Sequence, residues 1–267
     1  MSGQILGNRY EVERQLGRTS GRWTLLARDL TDDVLVVVKL LFIDDDLQAT
    51  DLKLFKREVD ALKLLNHPTT SRYLDYFEID MPRDGKALAL VESYIEGTSL
   101  AAYVARQRLF NEVEANYIVR KALEILSHLH QNAPPIVHRD IRPSNLLLEP
   151  VEGSNQPKVH LVDFGSVRSL GTTSTALTMI GVNGYMPPEQ ASGRALAVSD
   201  LYSLGATLVH AMTGKSPAEL QTDSFRINFE SAIALSPEFA NWLKQMLSPS
   251  LDYRWSSAQA ALEALPN

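Results

Sequence analysis

Apolar residues follow one pattern up to about residue 95 and another beyond it. The run Val34–Ile43 is almost continuously apolar and rich in β-branched residues, which predicts a strand covered on both faces. A second strand is expected over 88–95, ending at Glu96-Gly97. Between them Leu54, Phe55, Val59, Leu62 and Leu65 recur at helical spacing and predict a helix over 51–66, stopped by Pro68. Glu58 lies on the Leu54–Leu62 row, so this helix turns a carboxylate toward the core. Beyond Gly97 the periods are helical. Asn111-Glu-Val-Glu114 reads as a capping box that opens an amphipathic helix carrying Ile118, Ala122, Ile125 and Leu129 and ending before Pro134-Pro135. The stretch 200–212 is apolar nearly all round and predicts a buried central helix, and Ser256-Ser-Ala-Gln259 is expected to cap a last helix.

Composition narrows the function classes. With 267 residues, the chain exceeds one typical domain but is short of two, so two unequal lobes divided near residue 95 fit it best. The net charge of −6 gives no general attraction to nucleic acid or anionic membrane, and no local basic patch replaces it. There is no cysteine, which excludes disulfides, thiolate metal sites and thiol nucleophiles. The most apolar run is too short to span a bilayer and contains Lys39, and the N-terminus has no basic-then-apolar signal, so the expected location is the cytoplasm.

Two motifs carry chemistry. His138-Arg-Asp-Ile-Arg-Pro-Ser-Asn145 sets Asp140 five positions before Asn145, and Asp163-Phe-Gly165 follows after a plausible pair of strands. Phosphoryl transfer needs this set: a carboxylate to receive the acceptor's proton, and oxygen ligands from two places to hold Mg²⁺ on phosphates. Either motif alone also reads as ordinary turn chemistry. The joint order Val36-Val-Val-Lys39, Glu58, His138-Arg-Asp140, Asn145, Asp163-Phe-Gly165, Pro188-Glu189, Asp200 and Arg254 is what resembles the bacterial serine/threonine protein kinases, especially the cyanobacterial type, from about Tyr10 to Leu265.

The resemblance implies an α+β, bilobal protein-kinase-like fold: a small, mainly antiparallel nucleotide-binding lobe with one helix over 1–95, and a larger, mainly helical catalytic and substrate-binding lobe over 96–267. It implies ATP and Mg²⁺ as cofactors and a protein hydroxyl as acceptor. Lys39 would bind the α- and β-phosphates and pair with Glu58, Asp140 would be the catalytic base, and Asn145 and Asp163 would hold the metal. Glu92 takes the gatekeeper position, the Ser93 carbonyl and Ile95 amide face the purine, Leu147 lies below it and Val37 above. Glu189 and Arg254 match the family's buried ion pair, and Asp200 its carboxylate that braces the catalytic loop, although Ser199 or Asp200 also suits a helix cap.

Three places depart from the family pattern. The phosphate-covering loop, bounded by Gly17 and Thr24, has Thr19 and Arg22 where the second and third glycines belong. Two outcomes are open: a looser phosphate fit, or a direct Arg22–phosphate contact, with Gly21 permitting a shifted turn. Arg142 replaces the usual lysine after Asp140 and keeps its positive charge, and Val182 replaces a threonine. Arg139 beside the hydroxyl-rich 163–189 segment makes Thr175 and Thr178, with Thr172, Thr173 and Ser174 nearby, candidate phosphosites. An active protein kinase is the primary reading. A pseudokinase acting as a nucleotide-sensing or scaffolding module is the alternative, supported by Thr19, Arg22 and Val182. A small-molecule kinase of the same fold fits less well, because 181–189 looks like a peptide-docking segment.

Overall fold

The computed structural model describes residues 2–19, 21–81, 85–166, 168–169, 184–222 and 224–267. They form two compact units, one made of Met1–Asn66 and Ser71–Glu96, the other of His67–Thr70 and Gly97–Asn267. The division falls one residue later than the expected 95/96 boundary, and the turn at 67–70 belongs with the second unit.

The first unit is a six-stranded antiparallel sheet with one helix. Its strands are β1 (Ile5–Leu6), β2 (Tyr10–Thr19), β3 (Arg22–Asp29), β4 (Val34–Ile43), β5 (Tyr73–Met81) and β6 (Gly85–Ser93), in the order β1-β2-β3-β4-β6-β5. Helix α1 spans Ala49–Leu64. One face of the sheet holds the core, with Val12, Leu25, Ala27, Val36, Val38, Leu40, Ala87, Ala89 and Val91 among its buried residues. The alternate positions of β4 and β6, Val37, Lys39, Leu88, Leu90 and Glu92, therefore point the other way. Two boundaries differ from the sequence expectation. Helix α1 stops at Leu64, because Leu65 is already extended, and β6 begins at Gly85 and ends at Ser93 rather than Ile95.

The second unit is mainly helical. Its helices are α2 (Leu100–Ala105), α3 (Glu112–His130), α4 (Pro188–Ala191), α5 (Ser199–Thr213), α6 (Pro217–Leu220), α7 (Pro237–Met246) and α8 (Ala258–Glu263). Short strands β7 (Thr98–Ser99), β9 (Leu146–Glu149) and β10 (Lys158–Leu161) form one small antiparallel sheet, and β8 (Ile136–Val137) pairs with β11 (Arg168–Ser169). The capping box that opens α3 is present in both directions: Asn111 Oδ1 accepts from Glu114 N, and Glu114 Oε2 accepts from Asn111 N, each at 3.0 Å. Helix α5 is buried almost all round, as its unbroken apolar pattern requires, and Gly214, with φ of 70°, ends it in the left-handed region that glycine enters without strain. The last helix is capped by Ser257, whose Oγ accepts from Ala260 N at 3.0 Å, so the cap lies one residue beyond the expected Ser256. Among the described residues, no helix is long and apolar enough to cross a membrane.

Candidate active site

In the first unit the site is built on β4. Antiparallel pairing puts Lys39 opposite Leu90 and Val37 opposite Glu92, so Lys39 and Glu92 are diagonal neighbours on one face of the sheet. Helix α1 covers that face and brings Glu58 over it. Lys39 Nζ lies 2.5 Å from Glu58 Oε1 and 3.1 Å from Glu92 Oε1, and Ser71 Oγ donates to Glu92 Oε2 at 2.8 Å. All three charged residues are buried, with Lys39 9%, Glu58 2% and Glu92 4% exposed. A charge so placed is tolerated only when paired and hydrogen-bonded, which is the arrangement found. The Lys39–Glu58 pairing is the one the family resemblance implies; the contacts of Glu92 and Ser71 were not read from the sequence, because both residues lie more than thirty positions beyond Lys39.

The hairpin of β2 and β3 carries the phosphate-loop candidates. Gly17 pairs with Thr24, and Thr19 with Arg22 at the hairpin end, where Gly21 has a φ of 70°. A Cβ on Gly17 would meet only Thr24 Cβ at 3.9 Å, ordinary contact, so packing among the described residues makes no demand for glycine there. Arg22 Nη2 donates to the Asp51 carbonyl at 2.9 Å, and its guanidinium lies 5.6 Å from the centre of the Phe55 ring. Arg22 thus binds the hairpin to α1, an engagement that the two open outcomes for this loop did not include. The side chain of Thr19 is outside the described residues.

In the second unit the segment 138–145 connects β8 to β9, and α5 fixes it. Asp200 Oδ2 accepts from His138 N at 2.9 Å, and Oδ1 from Arg139 N at 2.8 Å, while His130 Nε2 lies 3.0 Å from Oδ2. Neither Ser199 nor Asp200 caps α5; its N-cap is Val198, which makes no side-chain cap bond. Two further residues hold the segment and were not anticipated: Gln190 Nε2 donates to Arg139 O at 2.8 Å, and Thr207 Oγ1 lies 3.4 Å from Ile141 O. His138 Nε2 lies 3.2 Å from Val162 O, and Asp140 N donates to His138 Nδ1 at 3.3 Å. One neutral tautomer, with its proton on Nε2, satisfies both.

Within that frame Asp140 meets the other candidate groups. Asn145 Nδ2 donates to Asp140 O at 2.8 Å and to Asp140 Oδ2 at 3.2 Å. Arg142 Nε lies 3.5 Å from Asp140 Oδ2 and makes no hydrogen bond. Burial pushes the Asp140 carboxyl up from its ordinary value, the Arg142 guanidinium pulls it back, and repulsion from Asp163 adds to the rise. Asn145 O accepts from Val162 N at 3.0 Å, which places Asp163 next along the chain beside Asn145. Asp163 has a φ of 68°, and the following Phe164 is fully buried, its ring 5.0 Å from His138. The Asn145 amide oxygen, which accepts from Ser144 Oγ at 3.2 Å, and the Asp163 carboxylate are hard oxygen donors from two segments whose backbones meet here, the donor type that suits Mg²⁺.

Glu189 and Arg254 form a bidentate pair, Nη1–Oε1 at 2.6 Å and Nη2–Oε2 at 3.2 Å, with Ser199 Oγ donating to Glu189 Oε1 at 2.7 Å. Leu147 lies half-buried in β9, as do Val37, Ser93 and Ile95 in the first unit. Thr172, Thr173, Ser174, Thr175, Thr178 and Val182 lie outside the described residues.

Comparison with known proteins identifies the family. The chain is 32% identical, over 97% of its length, to Serine/threonine-protein kinase B of Synechocystis sp.. It is 33% identical over 98% to Serine/threonine-protein kinase PknA of Nostoc sp., and 29% over 90% to Serine/threonine-protein kinase PrkC of Bacillus subtilis. These matches take in 46%, 48% and 36% of those proteins, so the chain spans about half their length or less. The model of the protein kinase domain matches residues 10–264, nearly the whole chain, and shows that the chain belongs to the protein kinase domain family.

Proposed function

We propose that the chain is an ATP- and Mg²⁺-dependent protein kinase that transfers the γ-phosphoryl group of ATP to serine or threonine hydroxyls of a protein. The observation that carries this reading is the half-buried Asp140 carboxylate with Asn145 and Arg142 at its edge, on a loop whose backbone Asp200 fixes. A general base must be held in place where the proton leaves, and the bonds from Asn145, together with the Asp200 bonds to the loop backbone, support that role for Asp140. Asp140 takes the proton of the acceptor hydroxyl as its oxygen attacks the γ-phosphorus and the bond from that phosphorus to the β,γ-bridging oxygen breaks, releasing ADP. Arg142 sets positive charge beside the site where negative charge develops, and Lys39 holds the α- and β-phosphates. Asn145 pins Asp140 through its amide nitrogen, and its amide oxygen with the Asp163 carboxylate would hold Mg²⁺. When bound, Mg²⁺ neutralises and orients the phosphate oxygens.

The purine is assigned to the Ser93 carbonyl and Ile95 amide, with Val37 and Leu147 as apolar contacts. Both oxygens of Glu92 already have partners in the first unit, which supports recognition by backbone rather than by that side chain. Gly17, whose hydrogen leaves room that packing does not require, suits close approach of a phosphate, with Thr24 opposite. Thr175 and Thr178 are proposed phosphosites pairing with Arg139, and the cytoplasm is the proposed location. The test is incorporation of γ-phosphate from Mg-ATP into the chain or into casein, with Asp140→Asn as control. Transfer by the native chain alone supports the reading; Mg-ATP binding without transfer makes the chain a pseudokinase.

A further inference from the structure

A glutamate at a buried sheet position is unfavourable unless something holds it, and Glu92 is held twice. It is 4% exposed, Ser71 donates to one carboxylate oxygen at 2.8 Å, and the Lys39 ammonium lies 3.1 Å from the other. Its strand is the hydrogen-bonded neighbour of the strand that carries Lys39, so their separation is fixed by the sheet itself. Glu58, the other carboxylate on Lys39, rides on α1, which joins the sheet through side chains such as Phe55 against Tyr76, with ring centres 6.3 Å apart. The two carboxylates therefore hold one ammonium from two elements of unequal rigidity.

We infer that Glu92 is a positioning residue for phosphoryl transfer: locked by Ser71, it forms with Glu58 a two-carboxylate clamp that holds the Lys39 ammonium from the sheet as well as from the helix. The inference rests on the kinase reading above. Its consequence is redundancy. Removing one carboxylate leaves the lysine held by the other, and removing both takes from its long, flexible side chain the carboxylates that fix it from the sheet and from the helix.

The experiment measures phosphate transfer to casein for the native chain, Glu92→Gln, Glu58→Gln and the double variant, with KM for casein and the thermal midpoint recorded beside kcat/KM for Mg-ATP. Each single variant should lower kcat/KM for Mg-ATP several-fold, to about tenfold at most, the scale of one hydrogen bond, without changing KM for casein. The double variant should lose clearly more than the product of the two single losses, because groups that share a partner are not additive. Native kcat/KM in Glu92→Gln, or a double loss equal to that product, overturns the clamp. If Glu92→Gln does not fold, Ser71→Ala decides: a several-fold fall in kcat/KM for Mg-ATP supports the clamp, and a native value overturns it. An inactive native chain defeats the kinase reading and the clamp with it, whereas an active native chain with an indifferent Glu92→Gln defeats the clamp alone.

Discussion

Asp200 Oδ1 accepts a hydrogen bond from the main-chain N–H of Arg139 at 2.8 Å, across 61 positions of sequence. Arg139 has a φ of 71°, a left-handed conformation that disfavours any residue with a Cβ by roughly 1–2 kcal/mol. The Asp200 bonds to His138 and Arg139 and the Gln190 bond to Arg139 O offset that strain and so set where Asp140, the next residue, points. Replacing Asp200 by Asn exchanges a charged acceptor for one that also presents N–H groups to two amide donors. We expect Asp200→Asn to lower kcat well over tenfold and to destabilise the fold by about 1–3 kcal/mol, measured by transfer kinetics and chemical denaturation. Native kinetics in this variant would mean that the loop keeps its shape without the carboxylate.

Lys39→Met and Asp163→Asn should each abolish transfer while leaving a folded chain, since one removes phosphate positioning and the other a metal ligand. Kinase turnover is about 1–100 per second, so the loss is readily seen in a γ-phosphate transfer assay, with circular dichroism confirming the fold. Near-native activity in either folded variant would remove the site assignment.

The pH dependence follows from Asp140. Burial raises its pKa, and a base acts only when ionised, so activity should fall as pH drops through a value above the ordinary aspartate pKa of about 3.9. Arg142 lowers that pKa, so Arg142→Ala should move the acid limb of the kcat/KM profile to higher pH. An unmoved or lowered limb would show that Arg142 does not act on Asp140.

The Glu189–Arg254 pair is almost fully buried and hydrogen-bonded on both sides. Arg254→Ala leaves the Glu189 charge buried and unpaired, and should cost about 3–5 kcal/mol of stability in urea denaturation. A loss near that of an exposed pair, about 0–1 kcal/mol, would show that water reaches Glu189 once the arginine is gone.

Arg22 joins the β2–β3 hairpin to α1 through the Asp51 carbonyl and the face of Phe55. Arg22→Gly removes both contacts, so amide hydrogen exchange should quicken at the hairpin end and in the first turn of α1, with a small rise in KM for Mg-ATP. If exchange is unchanged and only Mg-ATP binding weakens, Arg22 acts on phosphate directly.

Local patterning alone determined much of this protein. The continuous apolar run of β4, the helical row of α1 with Glu58 on its inner face, the capping box at Asn111 and the unbroken apolar helix α5 are each set by neighbours a few positions apart, so their sequence shows them. Element ends were less legible, because the stop of α1 at Leu64 and the cap at Ser257 depend on where the chain turns next. The short helices α2, α4 and α6 carry too little periodicity to be read. Among site residues, Lys39, Asp140, Asn145 and Asp163 were visible through motif order. The Glu92–Lys39 contact, the Ser71 lock, the attachment of Arg22 to α1 and the grip of Gln190 on Arg139 were decided only by tertiary structure. Each joins residues well apart in the chain through one or two side-chain contacts, and such a pairing leaves no period in the sequence.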